Sequence, residues 1–298
     1  MNRKQMREQQ TSTIEQTSKG EKKRSDEVFV LIQDVPTDLN AIIEKYTNKE
    51  SATDPNKKLI SIPFDMGTSW WRADQFFKRG IQFANDASKA AAPENSKQNQ
   101  DYELPYNKAV YEMMVTMGVL GHPVGDNSQP LHNTTDYDGW ANNQGGLHSY
   151  YEEKVVTFFG PNLQSQIVDR AKKMKNRKFL DGANTIEKMK RLSVMSVADL
   201  KSVQKADPII KNSQLKIERG MSLKTPAERQ PPEKGLARFQ KSIVDHMGRS
   251  ALLLAHLWDE IYKQGGAPDL KPYKSYQYPY TVPFVMPDYY DVAVESKK

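Results

Sequence analysis

The chain contains no cysteine and only five histidines among its 298 residues. The absence of cysteine excludes disulfide bonds, a catalytic thiol and cysteine-ligated metal sites. Any bound metal ion must therefore use nitrogen and oxygen ligands. Long apolar runs are also missing, because no segment approaches the roughly 20 apolar residues that cross a bilayer. The mean hydropathy of the whole chain is -0.76. The sequence therefore predicts no transmembrane helix.

Basic residues outnumber acidic ones, 43 to 37, which gives a net charge of +6. Such a balance favours anionic partners such as nucleic acid or phospholipid head groups. Much of the excess lies at residues 20–24, 170–191 and 211–224. Two interpretations stay open: scattered lysines that keep the protein in solution, or a basic face that binds anions.

Residues 1–27 lack aromatic side chains and periodic apolar positions, which predicts a disordered or loosely attached tail. No apolar core of a signal peptide follows the basic start. Residues 28–298 are predicted to form a single, mostly helical domain because apolar residues recur at helical spacing and strand-like runs are few. Predicted helices lie near residues 38–46, 69–92, 106–122, 147–159, 162–174, 196–206 and 235–264, joined by loops and basic polar segments, and residues 267–290 are predicted to be extended.

Three of the five histidines occur close together in the stretch of residues 121–153. His122 and Asp126 are four residues apart, so on a helix they share a face, and His148 and Glu152 repeat this spacing. One such pair is typical of a solvent-exposed contact. The joint pattern, with His132 between the two pairs, instead predicts a transition-metal site made of imidazole and carboxylate ligands. The remaining histidines, His246 and His256, are interpreted as satisfied histidines of a helix.

These five residues, with the flanking "GDNSQPLH" and "HSYYEE", resemble the metal-binding core of the zinc-dependent phospholipase C superfamily. That superfamily includes the single-strand-specific nucleases of fungi and plants. The resemblance implies a mainly α, multi-helix phospholipase C/nuclease-like domain with long loops, which hydrolyses phosphodiesters with up to three zinc ions. It also implies that His122 and Asp126 bind one zinc, that Asp126 bridges to a second, and that His132, His148 and Glu152 bind another.

The implied substrate is an anionic phosphodiester, either a phospholipid head group or single-stranded nucleic acid. Glu152 and the short spacing from His132 to His148 are similar to the bacterial phospholipase branch, because the nucleases usually have aspartate there. A single-strand-specific nuclease stays as an alternative. A second alternative is a weakened or non-catalytic member of the family that binds an anionic partner.

The chain departs from the family at its amino-terminal side. Family members supply further zinc ligands from a leading tryptophan, two histidines and an aspartate, whereas no histidine precedes His122 here. Either the chain is a shortened form of a longer precursor, or it is a diverged member with a reduced metal site. Asp65 and Asp74 are the upstream acids that could replace the missing ligands. Family members are usually exported, and the chain shows no export signal.

Several polar residues near the five ligands could support the site. Hydrogen bonds to the free ring nitrogens of the histidines are expected from Gln129, Asn127, Asp136 or Asp138. Arg72 could contact a phosphate. Pro123 removes a backbone hydrogen bond inside the predicted helix and restricts His122 before it. The sequence does not identify the carboxylate that would act as the catalytic base.

Overall fold

The computed structural model describes residues 32–46, 69–134, 136–218 and 221–274. Within these ranges the protein is mainly α, as predicted. The predicted tail at residues 1–27 and most of the predicted extended segment at 267–290 lie outside them. The helices are α1 (Leu39–Tyr46), α2 (Ser69–Lys89), α3 (Ser96–Gln100), α4 (Pro105–Ser128), α5 (Leu147–Ser149), α6 (Leu163–Lys173), α7 (Thr185–Ala198), α8 (Leu200–Ala206) and α9 (Pro232–Gln264).

The main core lies where α2, α4, α7 and α9 pack against one another. Each helix contributes apolar side chains spaced three or four residues apart, so that they form one stripe. The members that are fully or almost fully buried include Trp70, Phe76, Met113, Leu120, Met189, Leu192, Leu253, Leu257 and Ile261. Burial of one such side chain stabilises the fold by about 1.5–3 kcal/mol. Among the described residues, no helix combines the length and the apolar character that crossing a membrane requires.

A second core joins the amino-terminal half of α9 to the segment that carries three of the predicted ligands. Phe239 and Ile243 of α9 pack with Leu131, Leu147 and aromatic residues of the π-helix Tyr150–Val155. Leu131 and Leu147 are 0% exposed, and each directly precedes a histidine. Burial of these leucines therefore fixes the backbone at His132 and His148.

One predicted polar connection is a helix. Residues 175–195 were expected to be a basic polar segment, but α7 begins at Thr185 inside it. Asn184 caps this helix by accepting a hydrogen bond from the Glu187 backbone N–H at 2.9 Å. Lys188 interrupts the apolar pattern of this helix, because a charged residue occupies a buried position, where it pairs with Glu260 at 3.0 Å.

The helix α4 continues through Pro123 to Ser128. Proline at this position lacks the N–H that would bond to the carbonyl one turn earlier. The packing of Pro123 and Val124, both buried, holds the helix together here.

Four short strands between α8 and α9 form two antiparallel ribbons. The strand β1 (Ile209–Lys211) pairs with β4 (Glu228–Arg229), and β2 (Gln214–Glu218) pairs with β3 (Met221–Thr225). These ribbons were not predicted, because their strands are short and highly charged. They hold the loop at residues 143–146, through hydrogen bonds from Ser213 N–H to the Asn143 carbonyl and from Ala227 N–H to the Gly145 carbonyl, both 2.9 Å.

A buried ion pair completes this clamp. The Arg229 guanidinium donates to both carboxylate oxygens of Asp207, at 2.7 and 3.0 Å, and the two side chains are 5% and 0% exposed. Burial raises the pKa of Asp207, and the hydrogen bonds from Arg229 act in the opposite direction. The same guanidinium also donates to the carbonyls of Gln144 and Gly145. The loop that leads to His148 is thereby attached to the ribbons.

Removal of the Arg229 side chain is expected to destabilise the protein strongly. Arg229→Ala leaves the Asp207 carboxylate buried without its charged partner, with only the Gln144 amide donating to it at 3.3 Å, and loss of one partner of a buried ion pair costs about 3–5 kcal/mol. Urea denaturation followed by circular dichroism measures the loss. Arg238→Ala, at an exposed arginine, is the matched control and is expected to change the free energy of unfolding by less than about 0.5 kcal/mol. Equal effects of the two substitutions would contradict the clamp.

Candidate metal centre

Three predicted ligands meet at one point of the structure. The Nε2 atoms of His132 and His148 each lie 3.0 Å from Oε2 of Glu152 and 2.9 Å from each other. The three side chains are 25%, 21% and 42% exposed, in that order. The group therefore opens to solvent on one side while the scaffold encloses the other.

Local structure explains why these atoms meet. His132 lies in the 3-10 turn Pro130–Asn133, which Gln129 caps by accepting from the Leu131 N–H. His148 and Glu152 lie one turn apart in the continuous helical segment formed by α5 and the following π-helix. Gly146 starts this segment with a φ of +87°, a left-handed conformation that favours glycine.

With Glu152 ionised, no distribution of protons on the two imidazoles satisfies all three contacts. A neutral imidazole has one N–H and one bare nitrogen that can only accept. With protons on both Nε2 atoms, two N–H groups face each other across 2.9 Å. With a proton on one, the bare nitrogen of the other ring faces the Glu152 carboxylate at 3.0 Å. A cation bound by all three lone pairs removes this repulsion.

The donor set fits a transition-metal ion. Three atoms with mutual separations close to 3 Å lie about 1.7 Å from their centre, so one ion can reach all of them at the 2.0–2.1 Å typical of zinc and imidazole. Imidazole and carboxylate ligands suit zinc and iron better than calcium. Two histidines and one glutamate also leave a coordination position open, which is typical of catalytic rather than structural zinc.

The carboxylate of Glu152 is held in its charged form. Hydrogen bonds from His132, then from His148, keep the pKa of Glu152 well below its usual range, while burial opposes them. Gln129 contributes in the same direction, because its Nε2 donates to Oε2 of Glu152 at 3.1 Å. Glu152 is therefore available as an anionic ligand at neutral pH.

The other predicted ligand pair lies in α4. His122 Nε2 is 3.4 Å from Asp126 Oδ2, and the two side chains are 83% and 33% exposed. In the described ranges, the pair joins no third potential ligand. Of the upstream candidates, Asp74 is buried and pairs with Lys78 at 2.7 Å, whereas Asp65 lies outside the described residues. The structure thus brings together three of the five predicted ligands.

The predicted supporting residues bind the Glu152 carboxylate and groups of the neighbouring loop, and not the histidine rings. Gln129 binds the Glu152 carboxylate, as described above. Asp138 accepts hydrogen bonds from the His148 backbone N–H at 3.3 Å and from the Trp140 indole at 2.7 Å. Asp136 accepts from the Ala141 N–H and the Asn142 amide and so shapes the same loop.

Two further predicted residues bind neighbouring side chains of α2. Asn127 accepts a hydrogen bond from the Ser69 hydroxyl at 2.9 Å. Arg72 donates to Gln75 at 2.9 Å. The contact of Asn127 ties the end of α4 to the start of α2, whereas that of Arg72 lies within α2.

A hydrogen-bonded network behind the site, buried at Tyr151 and His246 and partly exposed at Asp199, was not predicted as such. The Tyr151 hydroxyl lies 2.9 Å from Nδ1 of His246, and Nε2 of His246 lies 3.2 Å from Asp199. Arg249 donates to the same Asp199 oxygen at 2.6 Å. The interpretation of His246 as a satisfied helix histidine is confirmed. The sequence held no signal for its partner Tyr151, which is adjacent to Glu152 in the chain and far from α9.

The hydrogen-bonded network of Tyr151, His246 and Asp199 predicts that the folded protein loses stability in acid. Burial lowers the pKa of His246, and hydrogen bonds, first from His246 and then from Arg249, lower the pKa of Asp199 to about 2. Because both groups are less basic in the folded state, both contribute stability at neutral pH. The His246 contribution is lost as the pH falls below 6.5, its ordinary value, and that of Asp199 between 3.8 and about 2.

Urea denaturation between neutral pH and pH 3, with a chelator present, measures this effect. We expect the free energy of unfolding to fall as the pH drops below 6.5. In His246→Gln the loss above pH 4 is expected to be smaller, because the titrating group is absent. His256→Gln, on the same helix and 36% exposed, is the matched control. Identical pH profiles for wild type and His246→Gln would contradict the prediction.

Comparison with protein-family models, with curated proteins and with solved structures finds no match for this chain. The resemblance of residues 121–153 to the zinc-dependent phospholipases therefore stays a prediction. What supports a metal centre is the arrangement of the side chains themselves.

Proposed function

We propose that this protein is a zinc-dependent phosphodiester hydrolase. The observation that carries the proposal is the convergence of His132, His148 and Glu152, with all three reactive atoms about 3 Å apart in a partly exposed site. Three protein ligands leave room for a water molecule or a substrate oxygen in the fourth position. The net charge of +6 suits an anionic substrate.

The chain's own residues hold the ligands in place. Gln129 fixes the Glu152 carboxylate, and the Tyr137 ring lies edge-on to the His148 ring with centroids 5.5 Å apart, which limits rotation of the imidazole. When bound, zinc supplies charge for the phosphoryl oxygens and lowers the pKa of a bound water to near 7. The proposed substrate is a phospholipid head group or single-stranded nucleic acid.

Activity of the metal-loaded protein tests the proposal. The protein is stripped with a chelator, reloaded with zinc, and assayed on bis(p-nitrophenyl) phosphate, a short-chain phosphatidylcholine and single-stranded DNA. We expect turnover only after reloading. His148→Ala should lose more than the roughly 10–100-fold expected for Gln129→Ala, because the first removes a ligand and the second only its support.

His256→Ala is the matched control, since it removes an imidazole that pairs with Glu260 on the surface of α9. It is expected to keep full activity. His122→Ala is a second informative variant, because a large loss there would place His122 in the working site. Zinc-loaded protein without turnover on all three substrates would contradict the hydrolase.

The alternative is a member of the same class that binds an anionic partner without hydrolysis. The observation that favours it is the separate position of His122 and Asp126, which join no third ligand in the described part of the chain. One bound zinc without turnover is the result expected of such a binder. Two histidines and one carboxylate also suit non-haem iron, so retention of iron in place of zinc would contradict both.

A further inference from the structure

The outer face of α7 borders two clefts that are rich in basic side chains. The first has a volume of about 340 Å³ and is lined by Arg170, Lys173, Lys175 and Arg249, with Asn176 and two methionines. The second has a volume of about 410 Å³, and its basic residues are Lys178, Lys190 and Arg191. Met195 lines both clefts. They therefore adjoin, and we call them together the basic groove.

Positive charge in the basic groove is not balanced by its surroundings. Glu187 lines the second cleft and Asp34 also acts on Lys190 there, so its three basic residues outnumber two acidic ones. Arg249 pairs with Asp199. Lys173 and Lys175 are exposed, and within the described residues neither has an ion-pair partner.

Arg170 also remains partly uncompensated. It lies against Asp245, but that carboxylate is shared with Lys241 at 2.7 Å. One negative charge therefore serves two positive ones. The first cleft therefore keeps a net positive charge, which attracts an anion.

The end of α6 would normally oppose an anion here. The last carbonyls of a helix carry partial negative charge, and α6 ends at Lys173. Arg177 offsets this, because its guanidinium donates to the carbonyl of Lys172 at 3.0 Å and to that of Met174 at 2.8 Å. The lysines beside the helix end are thus free to attract an anion.

A rigid helix supports the basic groove. Glu187, Lys190, Arg191, Val194 and Met195 are spaced so that they share one face of α7. The other face is buried in the core through Met189, Leu192 and Ser193 among others. The helix also packs against the turn that carries His132. None of the three metal ligands lines either cleft.

We propose that the basic groove binds successive phosphate groups of an extended phosphodiester strand, such as single-stranded nucleic acid. The two adjoining clefts are what favour an extended ligand, because a single phosphate would occupy only one. Lysine and arginine side chains neutralise backbone phosphates without reading a sequence. This binding needs no metal and does not depend on the proposed hydrolase activity.

Salt dependence of binding tests the proposal on the full chain with a chelator present. Fluorescence anisotropy follows a labelled oligothymidylate while salt is raised from about 50 to 200 mM, and each phosphate contact contributes about 0.7 to the slope of log K against log salt. Lys173→Gln/Lys175→Gln is expected to reduce the slope by about 1.4. Lys178→Gln/Arg191→Gln in the second cleft is expected to reduce it equally.

The control is Lys89→Gln/Lys97→Gln, which removes the same charge at exposed lysines outside the basic groove. Its slope is expected to match that of the wild type. Equal reductions for all three pairs, or no binding at the lowest salt concentration, would overturn the proposal.

Inorganic phosphate and phosphatidylglycerol vesicles test whether the basic groove prefers a free phosphate or a membrane surface to a strand. Inorganic phosphate is expected to compete weakly with the oligothymidylate. If it binds as tightly as the strand and depends only on Lys173 and Lys175, the site holds free phosphate and the extended ligand is wrong. Binding to phosphatidylglycerol vesicles without binding to the oligothymidylate would likewise overturn the proposal, in favour of a membrane surface.

Discussion

The close approach of the reactive atoms of His132, His148 and Glu152 is the constraint on which the candidate site depends. Two imidazole nitrogens and a carboxylate oxygen lie within about 3 Å of one another, and with Glu152 ionised no arrangement of the imidazole protons makes every contact favourable. A scaffold that holds the three side chains in this arrangement is what the proposed metal site requires.

That scaffold comes from several parts of the chain. The leucines before the two histidines are buried in the second core, and Gln129 holds the carboxylate from below the turn. The pair Asp207–Arg229 attaches the loop before His148 to the ribbons. Behind Glu152, Tyr151 is anchored through His246 to α9. These contacts restrain different parts of the site, namely the backbone at the two histidines and the side chain of Glu152.

The sequence predicted the general fold better than its details. Helical spacing of apolar residues identified α2, α4 and α9, because each has a clear buried face. It also identified α6, although no residue of that helix is fully buried. It missed most of α7, where the buried Lys188 pairs with Glu260 and interrupts the pattern. It also missed the ribbons at 209–229, whose strands are too short to show an alternation and are held by tertiary contacts to the loop at 143–146.

For the site, spacing along the chain placed His148 and Glu152 on one helical face. The scarcity of histidine in the chain, and the position of His132 between the two pairs, predicted that His132 joins them. The supporting contacts could not be predicted, because they depend on side-chain direction. Gln129 was expected to bind a histidine ring and binds the carboxylate instead. Spacing also treated the pair of His122 and Asp126 as equivalent to the second pair, although only a three-dimensional arrangement shows whether a third ligand is near.

Zinc K-edge X-ray absorption of the protein loaded with one equivalent of zinc reports which side chains bind the ion. Zinc bound at His132, His148 and Glu152 is expected to show scattering from two imidazole rings and one carboxylate at about 2.0–2.2 Å, with a further light ligand such as water. His148→Ala is predicted to show one imidazole fewer. A spectrum without imidazole scattering, or one unchanged by His148→Ala, would contradict a metal centre at His132, His148 and Glu152.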